Sequence, residues 1–432
     1  MDAARLSRYP FVPGPVPLTV VGGEGVWLHT DDGRRILDGA GGAVVANIGH
    51  GRPEPAAAAA EVLQGYAYTV PPFATEARVR LIERLVGNWL PEGMTRCLFV
   101  AGGSESVDSA LRIARQHHVC RGDVNRTKIV GRSISYHGVT LASLAVANHD
   151  RRRAGLEPML ADWPKADALD AEAVRKMVEA EDPGTIAAII AEPVSGASGA
   201  ALVPPDDYLP GLRSICDDHG ILLISDEVMA GFGRTGANFG IDHAGVVPDL
   251  LVGGKGLGGG YVPMGGVFAT EAVVAPIAEA GQSVMYFTFS GSDIVCAIAD
   301  RVLQVMEDED LVARAAVQGE RLRALLTEAL GDHPNVADIR GRGLLMGLEL
   351  VADRSTGATF GGRLSPKIVS EALERNCWIY PAGSAAVPDG ILFGPAFTIT
   401  DSELEQLVAI TAEAVDAAVA SLRAAEPAPA SA

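Results

Sequence analysis

The run Ile221-Leu222-Leu223-Ile224 is apolar at every position and stops abruptly at Ser225-Asp226-Glu227. A strand with one wet face alternates apolar and polar residues; a strand without alternation is buried on both faces. The same texture recurs over 96–101, 128–135, 185–194, 221–226, 249–253 and 265–269, each stretch short and bounded by turn residues. Longer stretches with helical spacing lie between them. Leu81, Ile82, Leu85, Val86 and Trp89 share a face over 76–90, Val107, Leu111 and Ala114 over 104–120, and Leu212, Ile215 and Cys216 over 208–219. Gly220 then suits a left-handed C-terminal cap. This alternation predicts an α/β fold with a mostly parallel sheet covered on both faces.

The texture changes after about residue 293. Long helices are expected over 294–306 and 311–330, then a strand over 344–351, a helix over 365–376, a strand over 391–393 and a last helix over 402–422. A hairpin is expected over 26–37, turning at Asp32-Gly33. These elements predict a large domain over 60–293 and a small α+β domain over 294–423, which the N-terminal segment 1–59 joins. The Ala/Pro/Ser-rich tail, 424–432, is expected to be disordered.

Charge and cysteine usage weigh against several function classes. The 432 residues carry 35 Lys+Arg against 54 Asp+Glu, a net charge of −19, whereas a nucleic-acid binder presents a basic face. Neither a nucleic-acid nor a membrane partner is expected, since no uncharged apolar run approaches the ~18 residues a spanning helix needs. The first 17 residues lack the basic and apolar segments of a secretory signal. Cys97, Cys120, Cys216, Cys296 and Cys377 are scattered without CxxC or other ligand spacing. A reduced, cytoplasmic setting and no metal site are the expectation.

Four segments carry chemistry. Ligands of open α/β sheets bind at the carboxyl ends of strands, where Asp226 falls; alone, it reads equally well as a solvated turn acid. The chain has five lysines, and only Lys255 sits in a glycine-rich loop, Gly253-Gly254-Lys255-Gly256, directly after a buried run. Desolvation lowers a lysine's pKa and turns it into a nucleophile for carbonyls. A nucleotide-binding P-loop is excluded because Gly256, not Ser or Thr, follows the lysine. Gly102-Gly103-Ser104-Glu105-Ser106 opens a helix, where free N–H groups and the dipole favour a phosphate. Tyr136-His137-Gly138 closes a strand with a ring able to stack on a flat cofactor; His137 has no partner at metal spacing. Lysine nucleophile, strand-end acid, phosphate cradle and stacking ring are together the parts of a pyridoxal 5′-phosphate site.

The chain resembles the class III (ω-amino acid) aminotransferases, which have the type I pyridoxal phosphate-dependent transferase fold (aspartate aminotransferase-like). The matching motifs run in family order over nearly the whole length: 31–38, Asn47-Ile48-Gly49-His50-Gly51, Gly102 to Ser106, Tyr136-His137-Gly138, Glu192-Pro193, 226–236, 255–260, Phe287-Thr288-Phe289-Ser290-Gly291 and Arg340-Gly341-Arg342-Gly343. The resemblance implies that Lys255 forms the Schiff base and shuttles the substrate proton, and that Asp226 pairs with the pyridinium nitrogen. It places Val228 and Tyr136 on the two ring faces and gives the phosphate to Gly103 and Ser104. Thr288 adds a phosphate contact from the neighbouring subunit, which implies a homodimer or a dimer of dimers. His137 and Glu192 complete the cofactor site, and Val44, Phe73 and Tyr136 border the substrate pocket; several amine transaminases have tryptophan at the place of Val44.

Departures from the family pattern bear on the substrate. Relatives acting on ornithine or γ-aminobutyrate tend to carry Gln at the place of Met229 and Glu near Ala197. Residues 381–399 contain no arginine, although many ω-transaminases clamp a carboxylate from that region. The clamp is therefore missing or supplied elsewhere, for example by Arg132 or Arg153. The expected activity is transfer of an amino group from a primary amine or β/ω-amino acid to a small keto acid such as pyruvate. Racemase, epimerase, aminomutase or decarboxylase chemistry of the same family is the alternative.

Overall fold

A computed structural model describes residues 9–12, 14–384 and 387–425. Among the described residues, seven strands form the main sheet in the order Met94–Val100, Gly265–Thr270, Leu250–Gly253, Leu222–Asp226, Ile186–Ala191, Lys128–Arg132, Lys165–Ala166. Gly265–Thr270 runs antiparallel to both neighbours; the other pairings are parallel. Ile186–Ala191 and Leu222–Asp226 are buried at every position, as strands apolar throughout must be. Alternate residues of Leu222–Asp226 and its neighbour Leu250–Gly253 feed two separate cores. Leu223 and Leu251 join the cluster of Leu212 from helix Tyr208–His219, while Ile224 and Val252 join that of Val107 and Leu111 from helix Gly103–Cys120. Gly220 closes Tyr208–His219 at φ 64°, in the left-handed region that favours glycine.

Among the described residues, two four-stranded sheets complete the fold. One joins Val20–Glu24, Trp27–Thr30 and Arg35–Asp38 to Cys377–Trp378, so N-terminal residues pair with the C-terminal part of the chain. Its hairpin turns at Asp32-Gly33, with Gly33 at φ 86°. The other is antiparallel: Val336–Arg342, Leu345–Leu350, Gly390–Phe393, Tyr380–Ala382. Helix Asp293–Asp308 packs on helices Pro53–Gly65 and Glu76–Arg84, and the last helix runs Asp401–Ala425. The tail expected over 424–432 starts later, since the last helix continues through Ala425; residues 426–432 lie outside the described residues.

Several elements differ from the sequence expectation. The strand expected over 128–135 stops at Arg132, because Ser135 Oγ turns back to the Arg132 carbonyl at 2.8 Å. The strand expected over 185–194 stops at Ala191, and the helix expected over 365–376 is Ser365–Glu374. The helix over 76–90 is α only through Arg84 and ends as a π turn, Leu85–Trp89, closed by Leu90 N on Leu85 O at 2.8 Å. The strand Val336–Arg342 escaped notice because Asp338, Arg340 and Arg342 break its apolar pattern.

Candidate active site

The strands Ile186–Ala191, Leu222–Asp226 and Leu250–Gly253 are parallel, so their carboxyl ends deliver Glu192, Asp226 and Lys255 to one edge of the sheet. A cavity of about 180 Å³ opens there, and its walls include Gly103, Ser104, Tyr136, His137, Glu192, Asp226, Val228 and Lys255. Gly138, Val194, Gly196, Ala197 and Met229 complete the lining.

Three expected residues lie outside this lining. Val44 is buried, in the same hydrophobic cluster as the lining residues Val194 and Met229. Phe73 is 64% exposed. Thr288 is exposed, and its carbonyl accepts the Tyr68 hydroxyl at 2.9 Å. Arg132 and Arg153, considered as carboxylate clamps, also stay away from the cavity. Arg132 is buried, donates to Ser195 Oγ at 3.0 Å and packs over the Tyr208 ring. Arg153 donates to the carbonyls of Leu144, Ala145 and Ala147 at 2.7–3.1 Å.

The two acids that end the strand Leu222–Asp226 point different ways. Asp226 Oδ2 lies 2.6 Å from His137 Nδ1, and its Oδ1 accepts the Val228 N–H at 3.0 Å. Glu227 is buried beneath the loop that follows, accepting the N–H groups of Gly240 and Ile241, each at 2.8 Å. Burial pushes its pKa up to about 8. Glu227 braces a loop, then, while Asp226 faces the cavity. Glu192 ties two walls together: one oxygen accepts Tyr136 N–H at 2.6 Å and the other Gly196 N–H at 3.0 Å. Burial raises its pKa, against the pull of His137 and Arg132.

Lys255 sits at φ 40°, a left-handed conformation rare for a residue with a side chain and one that is met at functional sites. Burial pulls its pKa down to about 8, against the attraction of Asp226 and Glu192 and with the help of Arg234 and Arg152. An appreciable neutral fraction follows near pH 8, and a neutral amine is the nucleophilic form.

Glycines set the cradle. A Cβ on Gly103 would stand 2.7 Å from Val228 Cγ1, so only glycine lets the helix start lie against that side chain. Gly138 has φ 130°, and a Cβ there would meet Ser104 Oγ at 2.5 Å. Ser104 Oγ instead accepts the Val139 N–H at 3.1 Å, which locks the Tyr136 turn onto the helix start. The first N–H groups of a helix lack intrahelical partners and suit an anion. Cradle, acid, aromatic wall and lysine fit a flat phosphorylated aldehyde. Among the described residues no group of three or more His, Cys, Asp or Glu side chains is arranged to hold a metal.

Sequence reasoning missed Val194 and Gly196, which follow the Glu192-Pro193 signal, and missed Arg152, whose guanidinium lies 4.7 Å over the Tyr136 ring. Arg152 stands in a run of three arginines that reads as a solvated face.

Comparison with known proteins shows the family of the chain. The family pattern described as aminotransferase class-III matches residues 12–415. A putrescine–pyruvate aminotransferase from Pseudomonas aeruginosa is 30% identical over 92% of this chain and 90% of the relative. An omega-aminotransferase from Caulobacter vibrioides is 34% identical over 77% of this chain and 81% of its own length. The crystal structure of an (S)-enantioselective omega-transaminase from Thermomicrobium roseum has a TM-score of 0.90 at 33% identity, over 97% of this chain and 99% of that one. That likeness carries the type I fold expected from the sequence. With the pattern and these relatives each spanning most of its length, the chain belongs to the class-III aminotransferase family.

Proposed function

We propose that this aminotransferase uses pyridoxal 5′-phosphate to move an amino group from a primary amine or β/ω-amino acid to a small keto acid such as pyruvate. The observation that carries the reading is a lysine with its pKa lowered to about 8 beside Asp226 in a cavity walled by a helix-start cradle. When bound, the cofactor supplies an aldehyde and an electron sink for the substrate's α-carbon. Lys255 then has two tasks: to hold the aldehyde through Nζ and, when released from it, to carry a proton on Nζ. Asp226, held by His137 and the Val228 N–H, keeps a negative charge at the strand end to meet a cationic ring nitrogen. Gly103 and Ser104 hold the phosphate, and Tyr136 and Val228 shield the ring from water. The putrescine–pyruvate and omega-amino relatives favour this substrate class. So do Met229 and Ala197, which line the cavity where an ornithine- or γ-aminobutyrate-type site would present an amide and a carboxylate.

The test is spectroscopic. Holoenzyme given an amine without acceptor loses the aldehyde form's visible band stoichiometrically, and pyruvate restores it. A racemase, mutase or decarboxylase turns substrate over while keeping the band.

We also propose a cytoplasmic homodimer or dimer of dimers, in which Thr288 reaches the partner's phosphate. Met285, Tyr286, Phe287 and Phe289 are exposed around it, an apolar cluster suited to a partner surface. All five cysteines are free, as in a reducing compartment. Among the described residues no helix is long and apolar enough to cross a membrane. Mixing Lys255→Ala chains with Thr288→Ala chains at limiting cofactor restores activity above either parent if the two residues meet across an interface. No gain on mixing contradicts it.

A further inference from the structure

The turn Asp150–Arg153 holds three consecutive arginines with three different fates. Arg153 is committed to the carbonyls of 144, 145 and 147, and Arg151 donates to the Gly383 carbonyl. Among the described residues, the Arg152 guanidinium has no hydrogen-bond or ion-pair partner; it lies 4.7 Å over the Tyr136 ring, whose other neighbour is the edge of His149 at 5.9 Å between centroids. A second cavity, of about 250 Å³, is lined by Arg151, Arg152, Arg363, His149 and Tyr380. Ala197 lines both this cavity and the one at Lys255, so the two adjoin. His149 is 6% exposed and its Nδ1 lacks a hydrogen-bond partner, the nearest carboxylate oxygen being that of Asp150 at 3.9 Å. Burial and the neighbouring arginines lower the His149 pKa to about 4, so the ring is neutral at working pH. Arg363 faces Asp389 at 3.5 Å, but that carboxylate already accepts the Leu364 and Ser365 N–H groups. Asp389 keeps its charge and pairs with Arg363, but among the described residues three arginines and no carboxylate line this cavity. The charge of Arg152 also reaches Lys255, where it adds to the burial that lowers the pKa, and Tyr136, where burial raises the pKa against it.

We infer that Arg152, reinforced by Arg151 and Arg363, binds the carboxylate of the keto acid acceptor alongside Tyr136. The acid group is then read from the 149–153 turn rather than from 381–399. A guanidinium pairs with a carboxylate through two parallel hydrogen bonds, and an aromatic face holds its plane in place. The inference rests on the transaminase reading.

The test pairs two acceptors of similar size on the holoenzyme, pyruvate and the carboxylate-free propanal. Arg152→Gln lowers the ratio of kcat/KM for pyruvate to that for propanal by at least about tenfold. Arg152→Lys, which keeps the charge and loses the fork, falls between. Calorimetric titration with propionate, an unreactive carboxylate, shows weaker binding to Arg152→Gln by a similar factor. An unchanged ratio, an equal loss on both acceptors or unchanged propionate affinity overturns the inference. If the wild-type protein exchanges amino groups with neither acceptor, the transaminase reading fails instead, and propionate binding still decides the role of Arg152.

Discussion

Lys255 and Lys165 lie in two regions of the same sheet, and burial lowers both pKa values to about 8. Lys165 belongs to the edge strand Lys165–Ala166, where its ammonium donates to the Trp163 carbonyl at 2.6 Å. Lys255 follows the inner strand Leu250–Gly253, in a left-handed conformation, on a cavity it shares with Asp226. By proton affinity alone the two amines are equally available as nucleophiles. What separates them is position: the parallel strand ends surround one with an acid, a glycine-lined helix start and a ring wall, and leave the other on a rim. A depressed pKa makes a nucleophile available; the topology of the sheet makes it a site.

The largest effect expected from this contrast is on turnover. Lys255→Ala lowers kcat by at least about 10³-fold, on the scale of lost proton-transfer catalysis, and removes the cofactor's lysine-bound absorbance. Lys165→Met stays within about twofold, since Lys165 does not line the cavity at Lys255. Comparable losses in the two variants would break the comparison. Asp226→Asn is expected to lower kcat by about 10²–10³-fold, the cost of one preorganised electrostatic partner, with circular dichroism unchanged. A near wild-type rate in that variant would remove the acid from the mechanism.

A smaller effect is on pH dependence. Capture of an aldehyde by the apoenzyme should rise with pH and level off above about 8, rather than above the ~10.4 of an ordinary lysine. The stability sign follows. Folding lowers the Lys255 pKa, so the buried ammonium opposes folding below about pH 8, and the penalty fades as pH rises toward the unfolded value. Lys255→Met should therefore stabilise the apoenzyme at pH 7 more than at pH 10, as read by urea denaturation. Equal gains at both pH values would contradict the lowered pKa.

The part of the site built on strand ends was legible in the sequence because local rules determine it. An unbroken apolar run ending in Asp226 is a buried strand meeting a ligand edge, and a lysine among glycines after another such run has few structural alternatives. Gly220 announced its left-handed cap for the same local reason. Arg152 was illegible, because three consecutive arginines look alike until tertiary packing commits one to backbone carbonyls and lays another on Tyr136. The strand Val336–Arg342 was hidden by its charged residues, and the antiparallel sense of Gly265–Thr270 leaves no mark in composition. Position within a sheet is a property of pairing, which a run of residues does not encode by itself.

The most direct measurement is borohydride reduction of the holoenzyme followed by peptide mapping, which fixes the cofactor to whichever amine holds it. The account predicts a single modified peptide, carrying the label on Lys255. A label on Lys165, the other lysine with a pKa of about 8, or on Lys128 would contradict it.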